Sequence, residues 1–210
     1  IVLTGAGRGF CAGADMSLLS AATDRAADGG GDAADGTGRS KLLKEPLPGQ
    51  LDHGPGFAMR YTYFTAIPKP VIAAVNGPTA GLGLVVALFA DMRFASEDAM
   101  FTTAFARRGL IAEHGIDWIL PRLVGLPNAL DMLLSARKVS AQEALAMGLV
   151  NKLFSAENFQ DNVRAYAREL ADLVSARSMR VMKEQLYRAL SLSLADAVAR
   201  GHDEMVASFD

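Results

Sequence analysis

Lys69-Pro70-Val71-Ile72-Ala73-Ala74-Val75-Asn76-Gly77-Pro78-Thr79-Ala80-Gly81-Leu82-Gly83 is the stretch from which the fold can be read. Pro70 excludes a helix immediately before it, and Val71 to Val75 is continuously apolar, the pattern of a strand buried on both faces. Asn76-Gly77-Pro78 is a turn. Ala80 to Ala90 is apolar on every side, so the helix expected there is buried all round. Short strands follow near Met92 to Ala95 and Met100 to Thr102, about the polar turn Ser96-Glu97-Asp98. Strand, turn, helix and strand in that order indicate an α/β protein.

Upstream, Ile1-Val2-Leu3-Thr4 reads as a buried strand running into Gly5-Ala6-Gly7-Arg8-Gly9, with helical character from Ala14 to Ser20. The chain opens within a strand pattern and without Met, so an N-terminal part of the protein is expected to precede it. From Ala21 to about Gly56, Asp, Gly, Ala, Ser and Pro dominate, and residues 21–56 are expected to be a mobile insertion, either disordered or a lid. Downstream, Pro127 opens a helix to Ser135. Ser140-Ala141-Gln142-Glu143 has the form of a capping box, Gly148 is a stop, and Leu149 to Phe154 reads as a strand. Asn158 to Ser208 is expected to form two or three amphipathic helices.

Bulk properties restrict the function. The 210 residues are 50% hydrophobic and 21% charged, with net charge −2. That is a globular composition with no general field for nucleic acid. One cysteine, Cys11, and three scattered histidines, His53, His114 and His202, offer no disulfide and no zinc spacing, so a metal-free protein of the reducing cytoplasm is expected. The longest apolar run, Leu82 to Ala90, is far short of the roughly 20 residues that span a bilayer, so no membrane partner is expected.

Thr4-Gly5-Ala6-Gly7-Arg8-Gly9 after a strand also suggests a dinucleotide site, as in short-chain dehydrogenases. That reading fails because Phe10-Cys11 replaces the last glycine of the fingerprint and no Tyr-x-x-x-Lys supplies an acid/base pair.

Gly-Phe-Cys-Ala-Gly-Ala-Asp at 9 to 15, Lys-Pro-Val-Ile-Ala-Ala-Val-Asn-Gly at 69 to 77 and Asp-Met-Arg-Phe-Ala at 91 to 95 together resemble the crotonase, or enoyl-CoA hydratase/isomerase, superfamily. Leu120-Pro121-Arg122-Leu123-Val124-Gly125 and Ser140 to Val150 continue the likeness. It implies a crotonase-like spiral of ββα units over residues 1–154, a helical C-terminal subdomain over 155–210, and homotrimers or hexamers. It also implies acyl-CoA thioester substrates, coenzyme A being part of the substrate and no other cofactor being needed.

The resemblance further implies an oxyanion hole formed by the backbone N–H groups of Ala14 and Leu82. Ala12, Gly13, Asp15, Met16, Gly81 and Phe105 are then placed against the substrate, with Asp15 also a helix cap. Each donor lies where a glycine-containing turn enters a helix, which leaves N–H groups without partners. The hydratases of this family use two glutamates, and Val85 and Phe105 stand at those positions, where neither can move a proton. Arg108-Gly109-Leu110-Ile111-Ala112-Glu113-His114-Gly115 instead resembles the stretch that carries the single glutamate of Δ3,Δ2-enoyl-CoA isomerases, which implies Glu113 as the catalytic base.

Double-bond migration in an enoyl-CoA is therefore the expected reaction. Two alternatives stay open, namely a hydratase with a rearranged acid pair such as Glu113 with Asp117, and a non-catalytic acyl-CoA-binding protein. His114 either orients Glu113 or faces solvent, the latter being preferred. Arg107 and Arg108 read as a solvated pair or as a grip on a CoA phosphate. Trp118 and the aromatic residues between Phe57 and Phe64 read as core or acyl-pocket wall, and Cys11 as a small buried residue.

Overall fold

The computed structural model describes residues 1–14 and 49–209. The greater part of the expected insertion, residues 21–48, lies outside the described residues, as does the helix start expected after Ala14.

Val71 to Val75 is buried throughout, and within it Ile72–Val75 forms the strand β2. It is flanked on both sides by parallel partners, β1 (Val2–Thr4) and β4 (Met92–Ser96), in the registers Val2↔Ile72 and Ile72↔Met92. Two covered faces explain an apolar run with no alternation. The strand β7 (Lys152–Phe154) pairs with β4 and completes a parallel sheet ordered β1-β2-β4-β7. A second sheet, β3-β5-β6, joins β3 (Thr79–Ala80) in parallel to β5 (Met100–Thr102), which meets β6 (Val139–Ser140) antiparallel.

The helix α1 (Leu82–Leu88) leaves β3 directly and is enclosed, with Gly83, Leu84, Val85, Ala87 and Leu88 buried. Its last carbonyls meet a buried cation. Arg93 Nη1 donates to Leu88 O at 3.2 Å and Ala90 O at 2.7 Å, and its Nε donates to Leu149 O at 2.8 Å. A guanidinium in the core is tolerated because these carbonyls satisfy its donors and it lies where the helix dipole favours positive charge.

The helix α2 (Ile116–Ser135) is broken at Gly125 (φ 76°, ψ 158°), so the helix expected from Pro127 to Ser135 is its second half. After α3 (Ala141–Ala146), the tail forms α4 (Phe159–Leu173), α5 (Ala176–Ala189) and α6 (Leu194–Val206). The expected capping box forms by half. Ser140 Oγ accepts the Glu143 N–H at 3.2 Å, but the Glu143 carboxylate is turned to the Arg137 guanidinium, a stronger charged partner than the Ser140 amide. No helix of the described residues is long and apolar enough to cross a membrane.

A buried polar joint fastens the tail to the sheet. Asp91 Oδ2 accepts the Val71 N–H at 2.7 Å and Lys183 Nζ at 2.7 Å, while Oδ1 accepts the Tyr187 hydroxyl at 3.0 Å. Lys183 also donates to Phe64 O and Lys69 O, so all three ammonium protons have acceptors. Burial pushes the Lys183 pKa down, against the opposing pull of Asp91. Lys183→Met removes the cation that pairs with the Asp91 carboxylate and the side-chain donor to two carbonyls, and is expected to cost about 3 kcal/mol in urea denaturation.

Candidate active site

The chain around residues 5–13 is pressed onto the turn and helix start at 76–83. Asn76 makes the first contact: its Oδ1 accepts the Gly5 N–H at 3.0 Å, and its Nδ2 donates to Gly7 O at 2.9 Å and Gly9 O at 3.3 Å. The glycines that resembled a nucleotide loop thus serve a backbone contact, and a Cβ on Gly77 would lie 2.0 Å from Arg8 O. Phe10 N–H donates to Pro78 O at 3.1 Å and Ala80 N–H to Cys11 O at 3.0 Å, with a parallel bridge between Cys11 and Thr79. Cys11 is half-buried in this contact. Further on, a Cβ on Gly83 would meet Cys11 O at 2.3 Å, and one on Gly13 would lie 3.6 Å from Leu82 N.

This packing brings the Gly13–Ala14 segment beside the first peptide of α1. Gly81, in the left-handed region at φ 52°, turns the chain into the helix, and its carbonyl accepts the Leu84 and Val85 N–H groups. The Leu82 N–H is left with no acceptor among the described residues, and the same holds for the Ala14 N–H. The Leu82 side chain packs against the core, so the amide is not crowded by its own residue. Ala12 and Gly13 lie in the same segment. Asp15 and Met16 lie outside the described residues.

Glu113 stands on the turn before α2, and its carbonyl accepts the Ile116 N–H at 3.2 Å. The turn is tightly shaped, with Gly109, His114 and Gly115 all at positive φ, the value being 59° at His114. The Glu113 side chain is 36% exposed and its Oε2 is 3.5 Å from His114 Nε2. His114 is itself 35% exposed, and its ring packs against Tyr61 with centroids 4.6 Å apart. The histidine therefore does both things that were weighed for it, accompanying the carboxylate while remaining partly open to solvent. Asp117 is exposed in the first turn of α2, and Val85 is fully buried. Phe105 is only 7% exposed and belongs to the main core. Arg107 donates to Ser135 O at 3.3 Å, at the C-terminal end of α2.

A cavity of about 710 Å³ lies beside the Glu113 turn. His114, Gly115 and Trp118 line one side, Phe89 lies where α1 ends, and the 53–62 segment and Leu190-Ser191 after α5 complete the described wall. Ala14, Leu82 and Glu113 are not in that wall. Phe57, Tyr61 and Trp118 are the wall residues that the sequence brought into view. His53, Leu190 and Ser191 were missed, since they carry no local signal and meet only through the packing of α5.

His53 is buried, and its Nε2 is 3.0 Å from Thr65 O, which makes Nε2 the donor and leaves Nδ1 unpartnered. Burial pushes its pKa below the ordinary value of about 6.5 and so favours the neutral ring, against the opposing effect of the Thr65 carbonyl. Among the described residues no group of three or more His, Cys, Asp or Glu side chains could hold a metal ion.

Comparison with known proteins agrees with this architecture. Residues 34–209 match the family model described as enoyl-CoA hydratase/isomerase. A probable enoyl-CoA hydratase of Rhodobacter capsulatus is 37% identical over 199 residues, covering 95% of this chain and 68% of that protein. The 1,2-epoxyphenylacetyl-CoA isomerase of Escherichia coli is 36% identical over 171 residues, covering 81% of this chain and 58% of that protein. Among solved structures, an enoyl-CoA hydratase from Polaromonas sp. JS666 superposes with a TM-score of 0.77 at 29% identity, over 98% of this chain and 72% of that one. The parallel sheet, the glycine-tight contact and the helical tail thus define a crotonase-fold protein. The chain belongs to the enoyl-CoA hydratase/isomerase family, and it spans about three-fifths to two-thirds of the length of these curated relatives.

Two measurements test the site. Gly83→Ala forces Cβ against Cys11 O and parts the Gly13–Ala14 segment from the start of α1; if the Ala14 and Leu82 amides are the oxyanion donors that the sequence resemblance implies, kcat on an acyl-CoA substrate is expected to fall about 100-fold. Circular dichroism should show the fold retained. For His53, the folded pKa lies below the unfolded one, so its contribution to stability is fully present above about pH 6.5 and is lost as pH falls through the folded value. His53→Phe is therefore expected to flatten the fall in Tm as pH drops below about 6.5.

Proposed function

We propose that this protein moves the double bond of an enoyl-CoA thioester, with Glu113 as the single proton carrier and the Ala14 and Leu82 N–H groups holding the enolate oxygen. The observation that supports this reading is the backbone contact of Gly13 on the start of α1, which brings together two segments whose Ala14 and Leu82 N–H groups have no acceptor among the described residues. A thioester oxygen between them gains stabilisation as it becomes negative, and such a donor contributes roughly 3 kcal/mol in comparable sites. Glu113 takes the C2 proton of a 3-enoyl thioester, the negative charge spreads over the dienolate, and the same carboxyl returns the proton at C4. The net change is a 2-enoyl thioester with all atoms conserved.

The residues at the two hydratase acid positions favour isomerisation over hydration. The two positions at which the family's hydratases carry glutamates hold Val85 and Phe105, both buried in the core. Asp117, the other partner considered for Glu113, is exposed on the first turn of α2. His114, 3.5 Å from the carboxylate, is a positioning group for Glu113.

The working protein takes coenzyme A only as part of its substrate, with no further cofactor and no nucleic-acid partner, and acts in the cytoplasm. It assembles as a homotrimer or hexamer. Exposed Leu126, Leu130 and Leu134, spaced four residues apart on one side of α2, support assembly because they form an apolar stripe with no cover within the described chain.

The deciding experiment presents a 3-enoyl-CoA and a 2-enoyl-CoA to the protein and to Glu113→Gln. The 3-enoyl substrate is expected to be converted, with roughly a 1,000-fold loss in the variant and little change in KM. Release of 3-hydroxyacyl-CoA from the 2-enoyl substrate would instead establish a hydratase. Tight acyl-CoA binding without turnover would establish a binding protein.

A further inference from the structure

We infer that the cavity beside Glu113 selects an acyl group ending in an aromatic ring over a linear chain of the same carbon count; this rests on the acyl-CoA reading of the site. Six aromatic or imidazole rings line the 710 Å³ space, from His53, Phe57, Tyr61, Phe89, His114 and Trp118. Met59 and Leu190 are the long aliphatic side chains among the described lining residues. A tube for a flexible alkyl chain does not require such a wall.

The rings are held in fixed relative orientations. Phe57 meets Trp118 at 5.7 Å with planes 83° apart, and meets His53 at 5.6 Å with planes 85° apart. The His53 ring is pinned through Nε2 to Thr65 O, and the Arg122 guanidinium lies over the Trp118 ring at 3.9 Å from its centroid. Planes near right angles offer a flat guest both stacked and edge-on neighbours, and these contacts add to what area burial alone supplies. A ring also has few torsions to freeze, whereas a linear chain loses freedom at every methylene.

Placement ties the cavity to the chemistry. His114 and Gly115 belong to its wall, and the Glu113 carboxylate is 3.5 Å from the His114 ring. The acyl tail therefore extends past the acid turn toward the 53–62 segment and the end of α5. The charged lining is also permissive, because among the described lining residues Arg60 carries the one fixed charge and no carboxylate is present. The Thr62 hydroxyl is already committed to Gly56 O at 2.7 Å.

Binding of two saturated thioesters with ten acyl carbons each, 4-phenylbutanoyl-CoA and decanoyl-CoA, separates ring recognition from hydrophobicity. The linear chain has the larger apolar surface and would win on area alone. By calorimetry, 4-phenylbutanoyl-CoA is expected to bind about fivefold more tightly, with Phe57→Leu and Trp118→Leu each removing the preference. Equal or tighter binding of decanoyl-CoA by the unsubstituted protein overturns the inference. Turnover of 3-hexenoyl-CoA, measured in parallel, keeps the two ideas apart. Ring preference without turnover leaves the inference standing and removes the isomerase reading, while turnover without ring preference does the reverse.

Discussion

The Gly13–Ala14 segment meets the start of α1 on one steric condition, that the backbone of residues 5–13 can lie directly against the backbone of residues 76–83. Gly5, Gly77 and Gly83 are each placed where a Cβ would fall within 2.0 to 2.3 Å of a carbonyl oxygen. A side chain at Gly77 or Gly83 would separate the segments, and one at Gly5 would collide with Gly9 and Phe10 within its own loop. Asn76 supplies the polar half of the contact, using both ends of its amide to satisfy three backbone groups of the glycine loop. The approach of the Gly13–Ala14 segment to the first peptide of α1 is a consequence of this contact, so that approach is held by main chain on both sides.

The surroundings distribute other tasks to other elements. Arg93 closes the far end of α1 and ties it to the β4 and Leu149 regions, which fixes the direction in which its first amides point. The acid turn is shaped independently, by three residues at positive φ between Gly109 and Gly115. The cavity takes its walls from four separate stretches of chain. The Gly13–Leu82 contact, the Glu113 turn and the cavity are thus built on different segments around a shared core, which Leu82, Ala112 and Trp118 all touch.

The parts of this arrangement that were legible in the sequence are those with local causes. Val71 to Val75 is legible as an enclosed strand because burial on both faces removes alternation, and the contact glycines are conspicuous because each lies in a turn or at a helix start. Glycine spacing by itself could not separate a phosphate loop from a backbone seam; Phe10-Cys11 and the missing acid/base pair did that. Other features depend on partners far away in the chain. His53 became part of a cavity wall only through α5, more than 120 residues later. Glu143 had the spacing of a capping box, but Arg137 claimed its carboxylate. The β6 strand at Val139–Ser140 was hidden because two residues are too few to show a period. His114 could not be placed from sequence because its left-handed backbone, which turns the ring toward both Tyr61 and Glu113, is set by the tight turn around it.

The Asp91 joint has a consequence for how the chain is made. Asp91 sits at the root of the central sheet, and its cationic partner, Lys183, follows 92 residues later in the sequence. On a ribosome, β1, β2 and β4 are synthesised well before α5 emerges, and during that interval the carboxylate must stay hydrated or bear the cost of burial alone. The nascent sheet therefore has a reason to remain open at that corner until the C-terminal third of the chain arrives. Lys183 and Tyr187, both on α5, then complete the partners of the carboxylate.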